Sequence, residues 1–238
     1  MGEGSGPGCF LVLEGVEGAG KSTQLPALAA WLEERGHVVV TGREPGGTRL
    51  GESVRSLLLD QEGPPVCDES ELLLMLAARA AFVREVVGPA LARGAVVVAD
   101  RFDLSTLAYQ GFGRGLGAER ISPMIEFATG GLRPHRTLVL DLPVEEGLAR
   151  QGLSGRGPDR IEAEGRAFLE RVAEGYRSLV RQDPRAVSID ARGTVSQVQE
   201  RIRAAIQGLL PEPPGSGGGS TPAGDSSGST VPPPASNV

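Results

Sequence analysis

Five short apolar runs punctuate the chain: CFLVLE at 9–14, HVVVT at 37–41, AVVVAD at 95–100, RTLVLDL at 136–142 and AVSID at 186–190. They are rich in β-branched residues and apolar without alternation, which marks strands buried on both faces of a parallel sheet. Between them lie segments of helical period at 21–35, 48–59, 69–93, 118–128, 144–151, 161–181 and 194–209. These are long enough to act as crossovers between parallel strands. Gly36 and Gly94 follow the first and third helices as C-terminal stops. Pro26 lies beyond the first turn of the first helix and predicts a local kink. The pattern predicts an α/β domain with a five-stranded sheet.

Composition changes this picture at the ends. Residues 211–238 are almost wholly Pro, Gly, Ser and Thr, and residues 1–8 are similarly poor in apolar side chains, so a disordered tail and a flexible leader are expected around a folded body at 9–210. The leader has no basic n-region and no apolar run approaches the roughly 18 residues that span a bilayer, which predicts a cytoplasmic address. With 24 basic and 30 acidic residues the net charge is −6, so a general nucleic-acid coating role is disfavoured. Cys9 and Cys67 lack CxxC spacing and His37 and His135 are isolated, so neither a disulfide framework nor a zinc site is expected.

The charge inventory also singles out one residue. Of the 24 basic side chains only Lys21 is lysine, a compact ammonium kept in a chain that otherwise writes its cations as arginine. It lies in GVEGAGKS at 15–22, directly after the first predicted strand, which fits GxxxxGK[ST]. In such a loop (Gly15, Val16, Glu17, Gly18, Ala19, Gly20, Lys21, Ser22) the backbone N–H groups converge on phosphate oxygens. The lysine reaches the β and γ phosphates and the Ser22 hydroxyl faces Mg²⁺. Thr23 either adds an α-phosphate contact or faces the sheet.

Asp100 ends the third apolar run and therefore belongs at the carboxyl edge of the sheet beside the phosphate loop, where it would join Ser22 in the magnesium shell or cap the next helix. Arg101 follows as a candidate for a second anionic group. Switch GTPases read guanine through an Asn-containing motif, and the only Asn here is Asn237. Motor ATPases place an acidic residue where Arg101 stands. A small-molecule kinase is left, and the Gly-rich segment 149–165, with Arg150, Arg156, Arg160 and Asp159, fits the lid that such an enzyme closes over the transferring phosphoryl group.

Taken in order, FLVLEGVEGAGKST (10–23), REPGGTRLGE (43–52), LAARAAFV (76–83), ADRFDLSTLAYQGFGRG (99–115) and RGPDRIE (156–162) closely resemble the thymidylate (dTMP) kinase family over roughly residues 10–207. The resemblance implies a doubly wound P-loop nucleoside monophosphate kinase fold, usually a homodimer, that transfers the γ-phosphoryl of ATP to dTMP with Mg²⁺. It also implies roles. Glu17 faces the deoxyribose 3′-hydroxyl, Arg101 clamps the dTMP phosphate, Arg79 donates to a thymine carbonyl, and Thr106 and Gln110 contact the pyrimidine edge. Tyr109 and Pro45 either contact the acceptor or pack beneath it. Met75 stands where many relatives have an aromatic residue that stacks on thymine, which bears on base discrimination.

The family has two subtypes, one with an arginine inside the phosphate loop and one with it in the lid. Gly18 occupies the loop position here, which by that resemblance assigns the transition-state cation to Arg156, with Arg150 second. The helix at 69–93 is apolar over most of its circumference, as expected of one buried against both its own sheet and a partner subunit. The competing readings are another nucleoside monophosphate or deoxynucleoside kinase and a non-catalytic P-loop regulatory module.

Overall fold

The computed structural model describes residues 8–153 and 159–211. The expected leader and tail, save Gly8 and Pro211, and the central lid residues 154–158 with Arg156 lie outside them. Five strands, β1 (Cys9–Glu14), β2 (Val39–Arg43), β3 (Val96–Asp100), β4 (Arg136–Asp141) and β5 (Ala186–Asp190), form one sheet in the order β2-β3-β1-β4-β5. Every pairing is parallel. Burial explains the apolar runs. All of β1 and nearly all of β3 and β4 are buried, whereas the edge strands β2 and β5 are partly open.

The pleat of β1 divides the interior in two. Leu11 and Leu13 face a core shared with Val98, Leu138, Phe168 and Val172, while Phe10 and Val12 face a second core with Phe82, Val87 and Phe102. Helices therefore cover both faces. They are α1 (Lys21–Glu33), α2 (Arg49–Leu59), α3 (Asp68–Phe82), α4 (Gly88–Ala92), α5 (Asp103–Thr106), α6 (Ala118–Thr129), α7 (Val144–Leu153), α8 (Arg166–Gln182) and α9 (Val195–Ala205). α1 continues through Pro26 without a break.

Four boundaries differ from the sequence pattern for physical reasons. β2 starts at Val39, two residues late, and runs on through Gly42 and Arg43, which pair with Ala99 and Asp100; the polar end of this strand reads as a turn but forms the sheet's carboxyl edge. The expected helix at 69–93 is α3 and α4 joined by a π-helical turn at Val83–Val87, where the Gly88 amide bonds back to the Val83 carbonyl just before Pro89, which has no N–H to give. The segment at 161–181 breaks at Gly165, whose φ of 88° ends a short 3₁₀ turn before α8 begins. The last helix stops at Ala205, four residues short of the expected 209, and starts under a Thr194–Gln197 capping box.

One helical segment was legible only as a start near Leu104. α5 runs directly into a π-helical stretch, Leu107–Gly113, in a Ser- and Gly-containing sequence whose continuation reads as loop. This rod places Thr106, Tyr109 and Gln110 on one face, at helical spacing, over the carboxyl edge of the sheet.

Candidate active site

The carboxyl ends of β1, β2 and β3 open into a cavity of about 720 Å³. At one end it is bordered by the phosphate loop, Glu17 to Thr23, and at the other by Arg79, Thr106 and Gln110, with Asp100 and Arg101 between them. Pro45, Met75 and Tyr109 also border it.

The loop takes its shape from glycine. Gly15, Gly18 and Gly20 have φ of 135°, 72° and 99°, in or near the left-handed region that side chains avoid. Val16 and Ala19 anchor the loop by burying into the core. Lys21 opens α1 and is only 8% exposed; its Nζ donates to the carbonyls of Gly15 at 2.8 Å and Val16 at 3.0 Å. An ammonium has three donors, so one stays available to the cavity. Burial and the neighbouring Arg101 charge pull this ammonium below the usual lysine range, against the opposing pull of Asp100, Glu17 and Glu14. Ser22 and Thr23 are exposed on the first turn of α1, so Thr23 faces the cavity rather than the sheet.

Arg101 is the one described non-glycine residue with positive φ, at 73°, a conformation held where the surroundings over-determine it. Its amide donates to Leu13 O at 2.9 Å, fixing the backbone to β1. Its guanidinium pairs with Glu17 Oε1 and donates to Ser105 Oγ at 3.1 Å, Tyr109 Oη at 3.1 Å and Tyr176 Oη at 3.2 Å. Burial works to raise the Glu17 carboxyl, but Arg101 and Lys21 overcome it and hold the group below the usual carboxylate range. Tyr109 Oη donates to Glu17 Oε2 at 2.5 Å, so Tyr109 fixes Glu17 as well as packing edge-on against Phe168.

Under Arg101 lies a residue that sequence reasoning passed over as the last residue of a strand. Glu14 is fully buried and accepts from the amides of Phe102 at 2.8 Å and Ser105 at 3.0 Å, and from Tyr176 Oη at 2.8 Å. It caps α5, the role weighed for Asp100; Asp100 makes no such bond, and its Oδ1 is buried with no hydrogen-bond partner. A charged residue closing an otherwise apolar strand was the available signal.

At the far end Arg79, 2% exposed, donates to Glu44 Oε2 at 2.6 Å, Thr106 Oγ1 at 2.8 Å and the Phe102 carbonyl at 2.7 Å. Burial pushes the Glu44 carboxyl up to about 7 despite Arg79. Gln110 Nε2 donates to Glu71 Oε1 at 3.0 Å. Arg55, also absent from the sequence reading, borders the cavity and donates to the Pro45 carbonyl at 3.1 Å. An arginine on a helix face in an Arg-rich chain carries no signal of its own.

The lid arginines separate. Arg160 is not a mobile guanidinium: it donates to Leu58 O at 2.8 Å and pairs with Glu71 at 3.1 Å, which ties the strand of chain after the lid to α2 and α3. Arg150 borders the cavity but donates to the Ala191 carbonyl at 3.3 Å, on the β5–α9 side. Arg156 falls outside the described residues.

A sequence profile described as Thymidylate kinase matches residues 13–202. Curated relatives named thymidylate kinase include one from Pseudomonas putida (strain GB-1), 52% identical over 204 residues that span 85% of this chain and 97% of that protein. Another, from Alkalilimnicola ehrlichii, is 48% identical over 203 residues, 85% of this chain and 92% of that protein. The crystal structure of thymidylate kinase from Ehrlichia chaffeensis superposes with a TM-score of 0.67 at 29% identity, covering 85% of this chain and all of that one. Phosphate loop, sheet order and the ordered motifs around the cavity thus agree with close similarity over nearly the whole length of those relatives, and the chain belongs to the thymidylate kinase family.

Proposed function

We propose that this enzyme transfers the γ-phosphoryl group of ATP to dTMP, giving ADP and dTDP, and that the two nucleotides meet in the single cavity at the carboxyl edge of the sheet. The observation that carries this reading is the cavity's polarity. A phosphate loop with its lysine lies at one end and a set of buried hydrogen-bonding groups, Arg79, Thr106 and Gln110, at the other, with the Arg101–Glu17 pair between them.

On the donor side Gly15 to Thr23 wrap the ATP phosphates, and Lys21 neutralises charge on the β and γ oxygens. The oxygen donors Ser22 and Asp100 suit Mg²⁺, and the buried, unpartnered Asp100 Oδ1 is an oxygen in search of a cation or a water. When bound, the ion would spread the charge of the transferring phosphoryl group. On the acceptor side Arg101 and Arg55 receive the dTMP phosphate, and Glu17, held by Arg101 and Tyr109, faces the sugar hydroxyl. Arg79, Thr106 and Gln110 read the base while Met75 and Pro45 close the pocket around it. Arg156 supplies the transition-state cation, a role supported by the commitment of Arg160 to Glu71 and of Arg150 to Ala191.

Residues 9–210 form one kinase domain with a lid near 150–160, and the enzyme works as a cytoplasmic homodimer. No helix among the described residues is long and apolar enough to cross a membrane. α3 exposes Leu73, at 55%, and α6, which packs against it, exposes Phe127, at 87%, apolar positions suited to a partner subunit. Sedimentation of Leu73→Glu/Phe127→Glu against wild type tests this; a dimer in both would move the interface elsewhere.

ADP release measured with dTMP, dUMP, dCMP, dGMP, AMP and thymidine tests the central reading. Strong acceleration by dTMP is expected. Equal acceleration by another monophosphate would reassign the acceptor, and none with any acceptor would make the chain a nucleotide-binding module.

A further inference from the structure

Glu71 lies in the first turn of α3 and is 1% exposed, and the phosphoryl-transfer chemistry does not use it. Its Oε1 accepts from Gln110 Nε2 at 3.0 Å and Arg114 Nε at 3.2 Å; its Oε2 accepts from Arg114 at 3.0 Å and Arg160 at 3.1 Å. Both arginines are themselves anchored. Arg160 donates to Leu58 O at 2.8 Å, and Arg114 stacks over Phe168 with its guanidinium carbon 5.0 Å from the ring centre. The carboxylate is therefore fixed from two sides by cations.

A carboxylate flanked by two guanidiniums has no hydrogen to give, so the atom that Gln110 turns toward it must be the amide nitrogen. The amide is planar, and its carbonyl oxygen is thereby turned away from Glu71. Among the described residues nothing donates to that oxygen, and Gln110 borders the cavity beside Arg79 and Thr106. The far end of the pocket thus offers an acceptor on Gln110 next to the donors of Arg79. Thymine and uracil carry N3–H and O4, a donor beside an acceptor, which complement that pair. Cytosine carries a bare N3 and an N4 amine, which reverse both positions.

We propose that Glu71 is a positioning residue that locks the Gln110 amide in the orientation selecting pyrimidines with an N3–H and rejecting cytosine. This rests on the reading of Gln110 as a base contact. Glu71→Gln replaces the obligate acceptor with a group that can also donate, which frees the Gln110 amide to rotate and present its NH₂ to a bare N3.

Steady-state kinetics with dTMP, dUMP and dCMP on the full chain test it in Glu71→Gln, Gln110→Met and the double variant. In Glu71→Gln the dTMP/dCMP ratio of kcat/KM should narrow by about tenfold or more, with the dTMP/dUMP ratio and the KM for ATP unmoved. General damage to the fold would lower all three acceptors together. The double variant should narrow the ratio no further than Gln110→Met alone. Glu71→Asp keeps the charge for both arginines but withdraws the oxygen from Gln110; it should act in the same direction and stands in if Glu71→Gln does not fold. A ratio unchanged in whichever of the two folds, with Gln110→Met collapsing it, would overturn the role of Glu71 alone. A ratio unchanged in Gln110→Met would overturn the reading of Gln110 and the proposal with it.

Discussion

Gly18 in the phosphate loop and Gly147 in α7 touch backbone to backbone: a Cβ built on Gly18 would lie 2.1 Å from the Gly147 carbonyl oxygen. A Cβ on Gly147 would in turn meet the Glu17 carbonyl at 2.5 Å. Such contacts leave no room for adjustment, and the Gly18 φ of 72° already disfavours any side chain. α7 therefore closes the space that a side chain at loop position 18 would need. Gly18→Ala should lower kcat/KM for ATP by at least about tenfold and cost on the order of 1–3 kcal/mol of stability, and Gly18→Arg should do worse instead of restoring a cation. Kinetics and thermal melts of both variants check this; a Gly18→Arg enzyme of wild-type activity would show that α7 yields.

Lys21 fills a narrow space between two carbonyls of its own loop, at 8% exposure. A guanidinium is larger and planar and does not fit where a point charge sits. Lys21→Ala should abolish phosphoryl transfer, and Lys21→Arg should retain less than about a tenth of wild-type kcat, a barrier increase above roughly 1.4 kcal/mol. Circular dichroism should show both variants folded. Retention above a tenth in Lys21→Arg would remove Lys21 from the reacting phosphates.

The parts of this fold legible in the sequence were those with a local signal. Continuous apolar runs located all five strands, most plainly β1, β3 and β4, which cross the interior with both faces covered, and the glycine pattern around Lys21 located the phosphate loop because only glycine takes its backbone angles. Of the rod at 103–113 only a start near Leu104 was legible, since π-helical turns and Gly–Ser sequence erase the usual period, yet it carries three of the residues that border the cavity, Thr106, Tyr109 and Gln110. Glu14, Glu44 and Glu71 were missed for a different reason. Each is a buried carboxylate whose partners are long-range: Tyr176 for Glu14, Arg79 for Glu44, Arg160 for Glu71. No spacing along the chain announces a pairing made by tertiary structure. Arg160, conversely, looked mobile because it lies in a Gly-rich stretch, and only its bonds to Leu58 and Glu71 show that it is fixed.

Glu44 predicts a pH dependence. Its carboxyl is 4% exposed, Oε1 has no partner, and burial raises it from about 4.5 to about 7, with Arg79 opposing. Between those values the unfolded chain releases a proton that the folded protein keeps. Folding stability contributed by this group is thus fully present below about pH 4.5 and is lost as pH rises through about 7, with an upper bound of about 3 kcal/mol. Glu44→Gln removes the ionisation. Its melting temperature relative to wild type should climb between pH 5 and pH 8, and a difference independent of pH would mean that Glu44 is ionised throughout.

Arg156 and Arg160 stand close in sequence and should fail differently when removed. Arg160 is held by the Leu58 carbonyl and Glu71, so Arg160→Ala leaves a buried carboxylate short of one cation and a carbonyl short of a donor. The expected loss is on the order of 1–3 kcal/mol, or a fall in melting temperature of about 3–10 °C for a domain of this size, with kcat within about tenfold of wild type. Arg156, as the proposed transition-state cation, should behave in the opposite way. Its removal takes away an interaction made only as the phosphoryl group transfers, so Arg156→Ala should lower kcat by about 10³ while the melting temperature and both KM values stay near wild type. The described cations that border the cavity, Lys21, Arg43, Arg55, Arg79, Arg101 and Arg150, each already hold a partner within the protein. Parallel melts and kinetics of the two variants separate the roles. A stable Arg160→Ala with kcat reduced by 10³ would move the catalytic cation to Arg160, and a raised KM for ATP at constant kcat in Arg156→Ala would make Arg156 a ground-state clamp on the donor nucleotide.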